Sequence, residues 1–371
     1  MNFDLSDEQK MLAEQARGLL GERSTPDRLR SLIDSGAEWD EPLWREIAEM
    51  GFLGAIIPEA HGGLGMTELD LGVISEEMGR ANVALPFFSS IVLAADAIQI
   101  AGNDAQKAAW LPRLASGEVI GTFAYAEGSG GWTGNALQAT FAGGKVSGLK
   151  TPVADGGIAG LAVVLVNSDG KPALALIDLD QPGVTRTRLD SFDELRAHYA
   201  IGFDGAAAEL LDAPGSGQAI ERLFDRAAVQ AAFEAVGGAE ACLTMARDYA
   251  LERKIFGRAL AGYQAIKHKL ADILVGVELA RSNAYYGAWA AQNAPDELPL
   301  AAAAARLSAI GAFENAAREN IQVHGGIGYT FEANCHFYYR RERTLALSLG
   351  GREAWANRLI AHIPGSQAEA V

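Results

Sequence analysis

A cation, an aromatic ring and an amide lie close together in one stretch of the sequence, as Arg253, Phe256 and Gln264. The hydrophobic pattern predicts helices over about 217–255 and 264–293, and the break between them contains two glycines, which permit a tight corner. An arginine can bind phosphate oxygens with its planar fork, and a phenylalanine offers a flat apolar face. The group therefore suits the diphosphate of a dinucleotide, and the alternative is a capped helix corner with a surface arginine.

The composition predicts a globular protein of more than one domain. At 371 residues, the chain exceeds the size of most single-core domains. A net charge of −16 argues against binding to nucleic acid or to an anionic membrane surface. The sequence has two cysteines, no secretory signal pattern and no apolar run of membrane-spanning length, so we expect a cytoplasmic protein. No pair of histidines has the spacing of metal ligands, so no metal site is predicted.

The periodicity of the sequence changes twice and predicts three domains. Residues 1–118 are typical of a helical domain, with Ser6 and Gln9 as a capping box at its first helix. Residues 119–215 contain short β-rich segments divided by Gly, Asp, Asn and Pro, which predict a middle antiparallel β sandwich or barrel. Residues 216–371 favour long helices joined by short links, which predict a C-terminal four-helix bundle. The predicted strands are 119–127, 140–146, 161–166, 173–179, 184–189 and 198–203, and the predicted bundle helices are 217–255, 264–293, 297–323 and 333–362.

This order of helices, strands and helices resembles the acyl-CoA dehydrogenase family, and motifs at several separate places support the resemblance. The stretch from Glu252 to Asp272 resembles the family's most recognisable helix pair. Gln322–Tyr329 resembles its Gln-x-x-Gly-Gly-x-Gly turn. Phe3–Gln9 resembles its opening segment, and Ile57–Gly65 resembles its Pro-Glu-x-x-Gly-Gly-x-Gly loop. The resemblance covers nearly the whole chain.

The resemblance implies an oxidoreductase that acts on the CH–CH bond of an acyl-CoA thioester, with FAD as cofactor and an electron-transfer flavoprotein as acceptor. In that family, the helix pair and the glycine turn bind the FAD of a neighbouring subunit. The matching residues here are Arg253, Phe256, Gln264, Gln322, Gly325 and Gly326. The resemblance therefore also implies an oligomer, most simply a tetramer, whose interfaces lie on the C-terminal bundle.

The sequence departs from the family where a catalytic carboxylate is expected. The reaction removes a proton from the carbon α to the thioester carbonyl, which requires a base within reach. The family keeps its glutamate either near the end of the chain, where this sequence has Leu349, or on the helix before the arginine motif, where it has Ala227 and Ala228. Glu234 remains as an alternative base, since burial in its apolar run would raise its pKa. The other interpretation of Glu234 is an ion pair with a basic residue of a neighbouring helix.

The motifs that hold the flavin ring in the family's β domain are also altered. Its Thr-Glu-x-x-x-Gly-Ser-Asp motif is matched by Ala126–Thr133, which keeps Glu127 and Gly131 but lacks the Thr, Ser and Asp. Its Lys-x-Trp-Ile-Thr strand is matched by Lys150–Ala154. There Pro152 replaces the tryptophan that covers the flavin, and an alanine replaces the hydroxyl residue.

The retained residues are those that a subunit lends across an interface, and the lost ones serve its own flavin and its own chemistry. We interpret the chain as one half of a heteromeric acyl-CoA dehydrogenase, resembling the non-catalytic-type subunit of bacterial enzymes that act on CoA thioesters of steroid side chains. The partner is then a second acyl-CoA dehydrogenase-like subunit. Two alternatives stay open: a non-enzymatic scaffold of the same fold, and a homo-oligomeric dehydrogenase that uses Glu234 as its base.

Overall fold

The fold consists of two compact units, seen in a computed structural model that describes residues 5–128, 137–211 and 216–363. Unit one is made of Met1–Arg28, Glu68–Val83 and Ala228–Val371. Unit two is made of Leu29–Thr67 and Ala84–Ala227.

Helices make up most of the described chain, and strands occur mainly in unit two. The helices are α1 (Asp7–Arg23), α2 (Pro26–Ser35), α3 (Glu41–Glu49), α4 (Glu68–Arg80), α5 (Asp96–Ala101), α6 (Asp104–Ala115), α7 (Ser216–Glu252), α8 (Gln264–Asn293), α9 (Leu298–His324), α10 (Cys335–Leu347) and α11 (Arg352–His362), with a π-helical segment at Phe88–Ala95. The strands are β1 (Gly121–Ala124), β2 (Thr140–Ala142), β3 (Lys145–Ala154), β4 (Leu161–Ser168), β5 (Lys171–Asp178), β6 (Val184–Leu189), β7 (His198–Ala207), β8 (Glu209–Leu210), β9 (Lys254–Ile255) and β10 (Arg258–Ala259).

In unit one, α4 and α7 approach so closely that glycine is required on both helices. A Cβ atom on Gly79 of α4 would lie 1.9 Å from the carbonyl oxygen of Glu234. A Cβ atom on Gly237 of α7 would lie 1.8 Å from the carbonyl oxygen of Glu76. Because a close-packed interior cannot absorb such an overlap, any side chain at either glycine would push the helices apart. This contact fixes α7 against α4.

The C-terminal helices follow the prediction except at one place. Helix α8 has the predicted bounds, and α7 and α9 differ from theirs by a few residues. The predicted helix over 333–362 is wrong in its continuity, because α10 and α11 are separated by a loop. In that loop Leu349 has a φ of 59° and Gly350 a φ of 92°, and left-handed residues end a helix. Buried Arg306 donates a 2.8 Å hydrogen bond to the carbonyl oxygen of Ser348 and so holds the loop.

Unit two contains an eight-stranded sheet in the order β6-β7-β3-β2-β4-β5-β8, with β1 also paired to β4. Most neighbours are antiparallel, but β1 runs parallel to β4, with Gly121 opposite Leu161. The sheet is therefore mixed rather than purely antiparallel as expected. The predicted strand 140–146 is two strands, since Gly143 and Gly144 adopt positive φ values and turn the chain between β2 and β3.

The predicted fold class is confirmed, because N-terminal helices, a central sheet and C-terminal helices follow one another in the described chain. The capping box at the start of α1 is present: the Ser6 hydroxyl accepts a hydrogen bond from the Gln9 amide at 3.2 Å, and the Gln9 side chain accepts one from the Ser6 amide at 3.0 Å. None of the described helices is long and apolar enough to cross a membrane.

One acidic side chain of unit one is buried without a hydrogen bond. Glu342 of α10 is 1% exposed, and neither of its carboxylate oxygens has a hydrogen-bond partner within the described residues. The Nε atom of Arg343 lies 3.1 Å from Oε2, which gives an ion pair. Burial raises the pKa of Glu342 to about 7; Arg343 opposes this rise and Glu314 adds to it.

We predict that Glu342 makes the folded protein less stable as the pH rises through about 7. In the unfolded chain a glutamate ionises near pH 4.3, so the contribution of Glu342 is fully present below that pH, falls as the pH rises from there, and is gone above about pH 7, where the carboxyl is ionised in both states. The loss is worth roughly 3 kcal/mol. Urea unfolding of the wild type and of Glu342→Gln at pH 5 to 8 measures it, and the variant should show the flatter dependence. The exposed Glu353→Gln should keep the wild-type slope, and a wild-type slope in Glu342→Gln would contradict the prediction.

Candidate cofactor-binding site

The predicted cation and ring lie at a β-hairpin that follows α7. The helix ends at Glu252, Arg253 comes directly after it, and β9 then pairs antiparallel with β10. The two residues between the strands, Phe256 and Gly257, have φ values of 52° and 80°. Two successive left-handed residues form the tight turn typical of hairpins. The ring of Phe256 therefore stands at the tip, where it is 95% exposed.

A small apolar cluster joins this hairpin to the neighbouring helices. Ala246 and Ala250 of α7 and Val323 of α9 are buried together, and side chains from the loop before α8 and from α8 itself pack around them. The ring of Tyr249 stacks on that of His324, with 4.2 Å between their centres. The end of α7, the start of α8 and the end of α9 therefore meet in one region. We call this region, formed by 252–264 and 322–326, the bundle end, and it contains all six predicted FAD contacts: Arg253, Phe256, Gln264, Gln322, Gly325 and Gly326.

The three polar side chains among the predicted FAD contacts are exposed. Within the described residues, the side chains of Arg253, Gln264 and Gln322 have no hydrogen-bond or ion-pair partner. Gln264 opens the 30-residue helix α8, and no side chain caps the start of that helix. The amide groups of a helix N-terminus and the helix dipole favour an anion. A guanidinium, two amides and a helix N-terminus are together the donors that a diphosphate requires.

Two glycines end α9 at this region. Gly325 has a φ of 66°, which favours glycine and stops the helix. A Cβ atom on Gly325 or on Gly326 would have no described atom within 4 Å. The space in front of both residues is open, so a ligand can approach their backbone closely.

Exposed apolar side chains are concentrated in the same part of unit one. They come from the end of α7, the hairpin and the segment after α9, and they are Leu251, Ile255, Phe256, Ile327, Tyr329 and Phe331. Large apolar groups that stay exposed in one region mark a surface suited to another chain or a ligand.

The positions where a base is expected are buried and apolar. Ala227 and Ala228 of α7 are fully buried, and Leu349 is 1% exposed. The indole of Trp355 donates a 3.1 Å hydrogen bond to the carbonyl oxygen of Leu349, which fixes this residue in its loop. None of these three side chains can accept a proton.

Glu234 lies in an ion pair. This residue of α7 is 4% exposed, and Nη1 of Arg341 lies 3.5 Å from its Oε1 atom. The same guanidinium donates to the carbonyl oxygen of Val83 from both terminal nitrogens at 3.1 Å. This arrangement is the one that the ion-pair interpretation of Glu234 predicts. The sequence could not identify the partner, because Arg341 belongs to a distant helix.

Two motif residues that the β domain retains form an ion pair between a buried lysine and a partly buried glutamate. Nζ of Lys150, which is 0% exposed, donates to Glu127 Oε1 at 2.6 Å and to the carbonyl oxygen of Tyr125 at 3.3 Å. The same carboxylate accepts the backbone amides of Gln138 at 2.6 Å and Ala139 at 2.9 Å. Burial opposes ionisation of Glu127, but Lys150 and these amides hold its pKa below the usual range, whereas burial lowers the pKa of Lys150. Sequence reasoning missed this pair, although both residues survive in motifs that are otherwise altered.

The rest of the altered β-domain motifs is only partly described. Residues 129–136, which include Gly131 and Trp132, lie outside the described residues. Pro152 lies in β3, at a point where the register of β3 with β7 shifts. A proline lacks the amide that a strand ladder needs, so the shift follows from its position.

Comparison with known protein families identifies the class of this protein. Residues 6–118 match the acyl-CoA dehydrogenase N-terminal domain, and residues 214–363 match the acyl-CoA dehydrogenase C-terminal domain. The chain is 30% identical to acyl-CoA dehydrogenase IpdE2 of Mycobacterium tuberculosis, over 90% of this chain and 91% of that protein. It is 31% identical to (2S)-methylsuccinyl-CoA dehydrogenase of Cereibacter sphaeroides, over 88% of this chain and 64% of that protein. The chain belongs to the acyl-CoA dehydrogenase family.

Solved structures share the fold over almost the whole chain. A variant of the Tcur3481–Tcur3483 steroid acyl-CoA dehydrogenase has a TM-score of 0.89 and 31% identity, covering 96% of this chain and 97% of that one. The ChsE4–ChsE5 complex of Mycobacterium tuberculosis has a TM-score of 0.91 and 25% identity, covering 99% and 100%. The predicted enzyme class, an FAD-dependent oxidoreductase acting on the CH–CH group of an acyl-CoA, is confirmed. The exposed donors and the open backbone of the bundle end fit that cofactor.

We predict that Arg253→Ala weakens flavin retention by about ten- to a hundred-fold. Loss of a charged hydrogen bond to a phosphate costs roughly 1.5–3 kcal/mol, which corresponds to that change in affinity. The measurement is the flavin content and the flavin dissociation constant of the purified assembly. The control is Arg247→Ala, which removes an exposed arginine of α7 that pairs with Asp248. Equal flavin retention in Arg253→Ala and in the control would mean that the hairpin is only a structural corner.

Proposed function

We propose that this chain is one subunit of a heteromeric, FAD-dependent acyl-CoA dehydrogenase. It contacts the distal part of an FAD with its bundle end, and a second acyl-CoA dehydrogenase-like subunit supplies the flavin-ring site and the catalytic carboxylate. The main support for this proposal is a contrast, within unit one, between the side chains of the predicted FAD contacts and those at the positions expected for the base. Among the described residues, the side chains of Arg253, Gln264 and Gln322 are exposed without a partner, whereas Ala228 and Leu349 are buried and apolar.

The role of each residue toward FAD follows from its chemistry. The guanidinium of Arg253 pairs with the diphosphate, helped by the uncapped N-terminus of α8. The amides of Gln264 and Gln322 donate to and accept from polar atoms of the nucleotide. The exposed ring of Phe256 covers an apolar part of it. FAD, when bound, supplies the acceptor for the hydride that leaves the β carbon of the acyl group.

The α proton of the acyl group requires a base that this chain lacks at the expected positions. General base catalysis needs a carboxylate within hydrogen-bond reach of the substrate. Glu234 is enclosed at the contact of α4 and α7 and is paired with Arg341, which leaves it poorly placed to reach an acyl chain. A carboxylate of the partner is therefore the proposed base.

Two of the similar structures support an assembly of unlike chains. One is a complex of ChsE4 with ChsE5, and the other is named as a steroid enzyme with two components, Tcur3481 and Tcur3483. Exposed apolar side chains in the bundle end and just after it, such as Phe256 and Tyr329, support burial against a partner in a tetramer. A CoA thioester with a steroid-derived acyl group is the first substrate to test, with an electron-transfer flavoprotein as the proposed acceptor.

We predict that the isolated chain shows little or no acyl-CoA dehydrogenation and that co-expression with its proposed partner, a second acyl-CoA dehydrogenase-like chain, restores activity. The difference should be at least about a hundred-fold, which is the lower range for the contribution of a general base. Dye-linked oxidation of short-chain, long-chain and steroid side-chain CoA thioesters measures it. Flavin absorbance is recorded for the isolated chain and for the co-expressed pair.

A Glu234→Gln variant of the isolated chain separates the alternatives. Robust turnover by the isolated wild-type chain that is abolished in this variant would make Glu234 the base and overturn the two-chain proposal. A co-expressed pair that forms a stable complex without flavin and without turnover would instead identify a non-enzymatic scaffold.

A further inference from the structure

Unit two contains a cleft that the proposed function does not use. Its volume is about 750 Å³, which lies within the range of small-molecule sites. The sequence has six tryptophans, and three of them, Trp39, Trp44 and Trp110, line this one cleft. Tryptophan is rare and offers a large flat face, so its concentration here needs an explanation beyond packing.

The tryptophans are held in place before any ligand arrives. Trp44 is buried, and its indole N–H donates a 3.3 Å hydrogen bond to the carbonyl oxygen of Gly117. Gly117 has a φ of 71°, and a Cβ atom there would lie 2.9 Å from the Trp44 indole nitrogen. The backbone therefore packs so closely against this ring that only glycine fits. Trp39 meets Trp44 edge to face, with 6.2 Å between ring centres. The guanidinium of Arg113 lies 5.1 Å from the ring centre of Trp110.

The charges around the cleft nearly cancel. Arg113 pairs with Glu118 at 2.8 Å, and Arg186 pairs with Asp180 at 2.6 Å. Arg45 of α3 also pairs with Glu41, which lies one helical turn earlier on the same helix. The ionisable side chains that line the cleft are three arginines and four acids: Arg45, Arg113, Arg186, Glu41, Glu118, Asp178 and Asp180. A cleft with one more acid than base does not attract phosphates or carboxylates.

Hydrogen-bonding groups accompany the flat faces. Within the described residues, the indole N–H groups of Trp39 and Trp110 have no acceptor. The carboxylates of the cleft can accept hydrogen bonds from ring N–H and amino groups. Flat faces, guanidinium groups, indole donors and carboxylate acceptors are the set that proteins use to hold a nucleobase.

We propose that this cleft binds an uncharged, planar heteroaromatic ring with both hydrogen-bond donors and acceptors, such as the base of a nucleoside. The ring stacks on Trp39 and Trp110, which are partly exposed, and its polar edge faces the carboxylates. The site is independent of the proposed FAD contact, because its lining residues all belong to unit two whereas the bundle end belongs to unit one.

The test uses the full chain labelled with 5-fluorotryptophan, with its ¹⁹F signals assigned by single Trp→Phe variants. The probes are adenosine, benzimidazole, AMP as an anionic control and cyclohexanecarboxamide as a saturated control. Adenosine or benzimidazole should shift the signals of Trp39, Trp44 and Trp110 in a saturable way, while Trp289 and Trp355 in unit one serve as internal controls and should not move. AMP should bind more weakly than adenosine, and the saturated amide should cause no shift.

Two variants measure how much stacking contributes to the affinity for the ring probe. Trp110→Ala should weaken binding of the ring probe roughly 5- to 100-fold, since stacking of a base on an aromatic side chain is worth about 1–3 kcal/mol. Trp289→Ala should leave binding unchanged. Four outcomes would each overturn the proposal: no saturable shift with either ring probe, equal shifts at Trp289, equal shifts with the saturated amide, or tighter binding of AMP than of adenosine.

Discussion

The contact between α4 and α7 is the constraint on which the rest of unit one depends. Their main chains meet at Gly79 and Gly237 with no room for a side chain, so neither helix can slide or rotate without overlap. Glu234 lies one turn from Gly237, and its carboxylate is therefore enclosed and needs the opposite charge of Arg341. With α7 held in this way, the place where it ends determines where the hairpin with Phe256 stands.

A buried and an exposed charge of this chain are stabilised differently, the first by an ion pair and the second by water. Buried Lys150 is paired with Glu127, because an unpaired charge in the interior costs several kcal/mol. Arg253 is exposed at a helix end, with no ion pair in the described part of the chain, and water solvates it at little cost. Arg253 therefore keeps its hydrogen-bond donors available for the proposed contact with FAD.

The sequence was sufficient for features that depend on local patterns. The bounds of α8, the capping box of Ser6 and the order of helices and strands are set by neighbours in the chain. It was insufficient where distant segments decide. The partner of Glu234 comes from α10, and the parallel pairing of β1 follows from tertiary packing rather than from its own residues. The break at Leu349 needed knowledge of Arg306, which fixes the loop from another helix. At the candidate site, residue types indicated the donors, but only the structure showed that they are exposed.

The enclosure of Leu349 makes it costly to restore a catalytic carboxylate at this position of the chain. Its side chain fills a closed apolar site, and the backbone there adopts a left-handed conformation that disfavours most residues. A single mutation that put a carboxylate back would bury an uncompensated charge, at a cost of several kcal/mol. Such a cost is comparable to the whole folding stability of many domains, which is about 5–15 kcal/mol. Under the proposed division of labour, a carboxylate at position 349 would therefore need compensating changes in its surroundings before this chain could catalyse the reaction alone.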